Sequence, residues 1–287
     1  MKAAVLGVLL SCLGLAGCGV DGSGGFPGGT LRLSVTDAPV DDASGVVVTF
    51  SGVQIQPAQG ETIDVDFPAR NIDLMALTGG RSAVLLPSLV LPAGHYAWLR
   101  LKVNIPESYV VVGDDTYGLE IPSGDQSGLK INRGFDVPAG GTADMTVDFD
   151  LRRSLHRRGS GASYALRPTL RMVDNTRVGT ISGTVDDALL NSPSCTGGYA
   201  VYVYAGAGVS PGDLGGPGAQ PVTTAPVLPS EGGQHGYRAA FLEAGPYTVA
   251  FTCQASNDDP TANDAIDFTG PSTVTVSTDG HTVLDFF

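Results

Sequence analysis

Leu91-Pro92-Ala93-Gly94-His95-Tyr96 and Leu242-Glu243-Ala244-Gly245-Pro246-Tyr247 decide the reading of this chain. Each is a turn in which glycine supplies a backbone angle that other residues disfavour. Each leads into a strand pattern, with its tyrosine facing inward. After the first turn, Ala97-Trp98-Leu99-Arg100-Leu101-Lys102-Val103 alternates between apolar and polar residues, the period of a half-buried strand. A second echo closes each half: Met145-Thr146-Val147-Asp148-Phe149 and Thr282-Val283-Leu284-Asp285-Phe286. Turns of this kind recur in β-sandwich modules, so they indicate a fold and not an activity. Composition agrees. With 40 Gly, 19 Pro and only 16% charged residues, the chain reads as short strands joined by turns. The predicted architecture is all-β, with two tandem β-sandwich domains in 287 residues.

Working outward, Leu31, Leu33 and Val35 alternate with polar neighbours until Thr36-Asp37-Ala38-Pro39 turns the chain. Further strands are expected over 46–55, 63–67, 109–112, 129–131, 142–149 and 166–173. Residues 72–77 suit either a strand or one helical turn, and 151–158 suit the one short helix. The pattern restarts at Gly179, after a boundary near 173–177. Strands then fit 199–204, 237–241, 247–253, 272–276 and 281–286. The long Gly, Pro and Ser stretch from Ala205 to Gly236 is expected to be disordered, a functional loop being the alternative. This gives one domain over 30–175 and a second over 176–287.

The N-terminus looks like a bacterial lipoprotein signal peptide. Met1-Lys2 is followed by an apolar run to Leu15, too short to span a bilayer, and then by Ala16-Gly17-Cys18. The resemblance implies that residues 1–17 are removed and that Cys18 carries lipid, attaching the protein to a membrane. Residues 18–29 are then a Gly-rich tether. Gly19 stands where an enterobacterial inner-membrane retention signal has Asp, so likeness to lipoprotein sorting favours the outer membrane. Which face the protein occupies is left open. Two cysteines remain in an exported chain, and Cys195–Cys253 is the expected disulfide.

The net charge of −13 argues against nucleic acid as a partner and against anchoring on anionic lipid through basic residues. Residues 18–175 hold 13 basic and 18 acidic side chains, whereas 176–287 hold 2 and 11, so the acidity lies in the second half. His95, His156, His235 and His281 form no metal-ligand spacing, and no nucleophile elbow or phosphate-binding loop is present. Calcium is the one cofactor with any support. Asp258, Asp259, Asp264 and Asp267, with Asn257 and Asn263, make an oxygen-rich loop after Cys253, although a solvated polar loop explains the same residues. The cluster Arg152, Arg153, His156, Arg157 and Arg158 is a candidate surface for an anionic glycan, lipid headgroups or an acidic partner. Its alternatives are a solvated loop or pairing with acids of the second domain. Trp98 and Tyr199, Tyr202 and Tyr204 are candidates for stacking on sugars, but Tyr202 and Tyr204 alternate with Val201 and Val203, as in a central strand.

Several of these stretches carry a family resemblance. Ser34-Val35-Thr36-Asp37-Ala38-Pro39, Val53-Gln54-Ile55, Leu91 to Tyr96, Phe149 to Ser154 and Tyr164 to Arg171 together resemble the bacterial "domain of unknown function 4382" family over roughly 30–175. This implies an exported β-sandwich, often on a lipoprotein, and no activity. Gly179 to Val185 and Leu242 to Tyr247 are similar to prealbumin-like, carboxypeptidase-regulatory-like modules. The expected function is therefore a non-enzymatic, lipid-anchored envelope protein that binds a glycan or another envelope protein. The alternatives are a structural spacer and an enzyme whose site is assembled from scattered residues. Oligomeric state is not legible.

Overall fold

Strand β1 (Gly28–Ala38) lies in the middle of its sheet because Leu31, Leu33 and Val35 all point into the core without exposure. The computed structural model describes residues 27–38, 43–121, 128–158, 163–167, 169–195 and 197–287. Residues 1–26 lie outside them, and with them the expected signal peptide, Cys18 and most of the expected tether; so does Pro39. After β1 come β2 (Gly45–Pro57), β3 (Ile63–Asp73), β4 (Ala83–Pro92), β5 (Gly94–Val103), β6 (Tyr109–Val112) and β7 (Asp115–Glu120). Then follow β8 (Leu129–Ile131), β9 (Phe135–Val137), β10 (Thr142–Asp150), β11 (Leu155–Arg158), β12 (Ser163–Leu166) and β13 (Leu170–Asp174). One sheet has the order β13-β10-β1-β4; the other runs β11-β12-β7-β6-β2-β5-β8, with β3 on β2 and β9 on β5. Between them lies one apolar core around Phe50 and Phe149, whose rings meet edge to face at 6.1 Å.

The rest of the chain forms β14 (Val178–Val185), β15 (Ala200–Ala205), β16 (Thr223–Pro226), β17 (Leu228–Pro229), β18 (His235–Glu243), β19 (Gly245–Thr252), β20 (Thr269–Val276) and β21 (His281–Val283). Their two sheets, β17-β18-β14-β21 and β16-β15-β19-β20, enclose a second core around Ile181, Val203, Phe251 and Phe286. The Cys195–Cys253 disulfide is present and fastens the end of β19 to the loop before β15.

The echoed turns are equivalent corners of one template. Tyr96 Oη donates to the Pro92 carbonyl at 2.7 Å, and Tyr247 Oη donates to the Glu243 carbonyl at 2.8 Å, four residues back in both cases. This is the tyrosine-corner device. Gly94 and Gly245 have φ of 148° and 158°, which explains the glycine between them. The likeness extends further. β1 and β14 each pair parallel with the echoed strand of their half, β10 and β21. Thr30 N donates to Gly141 O and Thr180 N donates to Gly280 O, both at 2.9 Å. Removing either corner hydroxyl, by Tyr96→Phe or Tyr247→Phe, takes the donor from a partly buried hydrogen bond. Each change is expected to cost about 1–2 kcal/mol in urea denaturation; a change within error would show that the corner is held by the ring alone.

Several expectations are corrected. Of the two readings for 72–77, the helical turn holds for Leu74–Leu77, a 3-10 turn capped by Asp73, while Ile72 and Asp73 end β3. The expected helix over 151–158 stops at Ser154, and Leu155–Arg158 is strand. A second short helix spans Asp187–Leu190. β4, β7 and β9 have no counterpart in the predicted strands: β4 is a near-continuous apolar run, and β7 and β9 are short. The segment 205–236 is ordered and carries β16 and β17. Tyr204 Oη donates to Gly212 O at 2.6 Å, and Val209 N donates to Thr248 Oγ1 at 2.9 Å, so distant strands hold its backbone. This segment also covers the outer face of β15, where Tyr202 and Tyr204 pack with Leu214 and Phe268. Those two tyrosines are fully buried, which removes them as a sugar-stacking face; Tyr199 is 37% exposed. Among the described residues no helix is long and apolar enough to cross a membrane.

Candidate functional site

The chain leaves β10 through the short helix Leu151–Ser154 and enters the other sheet as β11. Asp150 caps this helix by accepting from Arg153 N at 3.2 Å. The turn projects arginines toward the second domain. Arg152 is buried, and its Nη1 donates to the Ala255 carbonyl at 2.7 Å. Arg153 Nη2 donates to Gln220 Oε1 at 2.8 Å. Arg171, on β13, donates from Nη1 to the Phe241 carbonyl at 2.9 Å and from Nη2 to Asp148 at 2.5 Å. Arg133 pairs with Glu243. Four arginines of the first domain are therefore bonded to the second. Of the cluster read in the sequence, Arg152 and Arg153 bond a carbonyl and an amide of the second domain, and the charge of Arg152 also acts on Asp258; Arg133, outside that cluster, pairs with an acid.

Beside these bonds a cleft of about 550 Å³ opens between the domains. One wall carries His156, Arg157 and Arg167; the other is the turn Ala255 to Thr261, with Arg152 at the base. The second wall is held from behind. Ala255 N donates to Gly198 O at 2.9 Å and Gly197 N donates to Cys253 O at 3.1 Å, so the disulfide region braces it. Asp258 is buried and accepts from Tyr202 Oη at 2.6 Å and Leu214 N at 3.0 Å. Burial raises its pKa, against the lowering pull of those donors. Asp259 Oδ1 accepts from Thr261 N and Oγ1 at 2.8 and 2.7 Å; these bonds hold its carboxyl below the usual range, with a smaller contribution from the charge of His156.

The predicted residues separate into different roles. Cys195 and Cys253 pair. Arg152 and Arg153 bind the second domain, whereas Arg157 lines the cleft; the Arg158 side chain lies outside the described residues. Trp98 is apart from them, on β5, with the Arg100 guanidinium 5.1 Å and the Lys130 ammonium 4.6 Å from its ring. β5 and β11 are separated by four strands of the same sheet, so Trp98 and the arginines make no common surface. Of the four aspartates considered for calcium, Asp258 and Asp264 converge with Asp213, their oxygens within 4.8 Å of one another. Asp259 faces Thr261, and Asp267 bonds Gln254. Asp213 accepts from Asp264 N at 2.8 Å and Asp264 accepts from Asp259 N at 2.7 Å. All three carboxylates are thus held by donors of the protein itself. Asp213 escaped sequence reasoning because it sits in the segment expected to be disordered. Arg167 escaped because nothing in its neighbourhood marks it as facing another domain. Ser182 Oγ and His281 Nε2 are 2.6 Å apart on exposed strands, but among the described residues no acid bonds the other ring nitrogen.

The family model described as "Domain of unknown function (DUF4382)" matches residues 28–168. No curated protein matches the chain. Among solved structures, the Bacillus anthracis TIE protein is 13% identical over 90% of this chain and 33% of its own, with a TM-score of 0.20. The chain therefore spans about a third of that protein's length. GBS52, the minor pilin of Streptococcus agalactiae, is 11% identical over 88% of this chain and 93% of its own, with a TM-score of 0.19. CBMbc (family CBM26) of Eubacterium rectale Amy13K, solved with maltoheptaose, is 12% identical over 89% of this chain and 90% of its own, with a TM-score of 0.20.

Proposed function

We propose, from the premise that residues 28–168 match the model of the DUF4382 family, that the protein is a non-enzymatic binding protein of the bacterial cell envelope. It is held to a membrane, the outer one where the cell has two, by lipid on Cys18. Its ligand is a glycan or another envelope component taken in the cleft between the two sandwiches. The observation that carries this reading is the cleft itself, polar, about 550 Å³ in volume and walled by both domains. Ligand sites commonly lie at domain interfaces and have volumes of roughly 300–1,000 Å³. The arginine bonds across the interface fix the two walls against each other, so the site is formed before a ligand arrives, which lowers the ordering cost of binding. A spacer would need the interdomain bonds and not the open cleft beside them.

Two measurements test the reading. Cell fractionation of the full chain should place it with membranes, and Cys18→Ala should move it to the soluble fraction; equal distribution of the two would remove the anchor. A broad glycan array and a pull-down from envelope extract, both with the purified protein, should return a ligand that Arg167→Glu weakens about tenfold or more, the loss typical of a charged contact at a site. A ligand unaffected by that change places binding elsewhere, and none from either source leaves the spacer.

A further inference from the structure

We propose that the interdomain cleft selects an acidic saccharide, whose carboxylate is seated on Arg157 and Arg167. This rests on the cleft being the binding site. The charge inventory of the cleft is the first support. The chain holds 29 acidic against 16 basic side chains, yet the cleft gathers Arg152, Arg157, Arg167 and His156 against Asp258 and Asp259. The second support is which of these groups are already engaged. Asp258 is spent on Tyr202 and Leu214, Asp259 on Thr261, and Arg152 on the Ala255 carbonyl. Arg157 and Arg167 are exposed, and among the described residues neither side chain makes a hydrogen bond or ion pair. Two arginines left without an acid in so acidic a chain, and on one wall of a concavity, make an anion site; guanidinium forks match a carboxylate bidentately.

The remaining chemistry narrows the anion. The facing turn carries Ser256, Asn257 and Thr261, polar side chains of the kind that meet sugar hydroxyls; the Thr261 hydroxyl, which donates to Asp259, is left as an acceptor. Among the described residues no Phe, Tyr or Trp ring lines the cleft, so no broad platform for a nucleobase is formed, and the apolar residues there are too few to seat an acyl chain. The net charge of −13 repels long polyanions and anionic bilayers but not a short ligand with one charge held at the arginines.

The test is an array of uronate, sialate and neutral oligosaccharides read with the full chain, followed by calorimetry on the best acidic ligand, its methyl ester and inorganic phosphate. The acidic sugar is expected to bind about tenfold or more tightly than its ester, and Arg157→Gln and Arg167→Gln are each expected to weaken it by a similar factor. Arg32→Gln, on an exposed face of β1, should leave affinity unchanged, and unaltered melting temperatures of the cleft variants would show that folding is intact. Hits confined to neutral sugars, or an ester that binds equally, overturn the acidic specificity while leaving a glycan site in place. Phosphate binding as tight as the sugar reduces the site to a simple anion hole. Acidic hits indifferent to both arginines overturn the assignment of the residues. No glycan hit of any kind removes this inference together with the glycan reading beneath it.

Discussion

Asp148→Ala is expected to lower the stability of the protein by about 3 kcal/mol, because it strands a partly buried guanidinium. The Asp148 side chain is 10% exposed and that of Arg171 24%, and they meet at 2.5 Å. Arg171 also reaches the Phe241 carbonyl across the domain interface, so the lost ion pair weakens both the first sandwich and its seat on the second. Burial raises the pKa of Asp148 and the Arg171 charge only partly offsets it, so desolvation outweighs attraction. Replacing both partners by apolar residues, Asp148→Leu with Arg171→Met, should therefore recover much of the loss. Urea denaturation of the three variants measures this; an unchanged midpoint for Asp148→Ala would mean that water already reaches the pair.

The neighbouring carboxyl gives the same region a pH signature. Burial, opposed by Arg153, raises Asp150 from 3.8 to about 6. The folded chain therefore keeps a proton that the unfolded chain releases. For this group, stability is highest on the acid side, declines as pH rises between about 4 and 6, and is level above; the span is about 3 kcal/mol. Asp150→Asn retains an oxygen to cap the helix and should flatten that decline. Parallel slopes for wild type and variant would show that the carboxyl titrates normally.

Loss of the disulfide is the second large effect. Cys195→Ser with Cys253→Ser opens a loop with a sequence separation of 58 residues, worth about 4 kcal/mol in the chain-entropy model. The damage should also be local, because Cys253 lies two residues before the carbonyl that receives Arg152. Limited proteolysis is expected to nick the oxidised protein slowly and the variant quickly near Gly197. A variant within about 1 kcal/mol of wild type would show that the unfolded chain is already restrained in this region.

How much of this was legible from sequence depended on the range of the forces involved. The alternation in Leu31 to Val35 and the glycine–tyrosine corners are local signals, and they gave the strands and the shared template of the two halves. The pairing of Cys195 with Cys253 followed from there being two candidates only. The order of 205–236 was not legible, because Tyr204, Thr248 and the Asp213 carboxylate, not its own Gly and Pro content, hold it. The arginine cluster was visible, but its division into interface bonds and cleft wall was not. That division follows from the placement of two separately folded sheets, and no spacing within Arg152 to Arg158 encodes it.

The position of β1 has a mechanical consequence. It is bonded along both edges, to β10 in parallel register from Thr30 to Ala38 and to β4 on the other side. Traction applied through the preceding chain pulls along this strand and loads its hydrogen bonds in shear, many at once, so that no single pair can open first. A protein tugged from its N-terminal side would meet that resistance at β1, before any load passes to the cores or to the cleft.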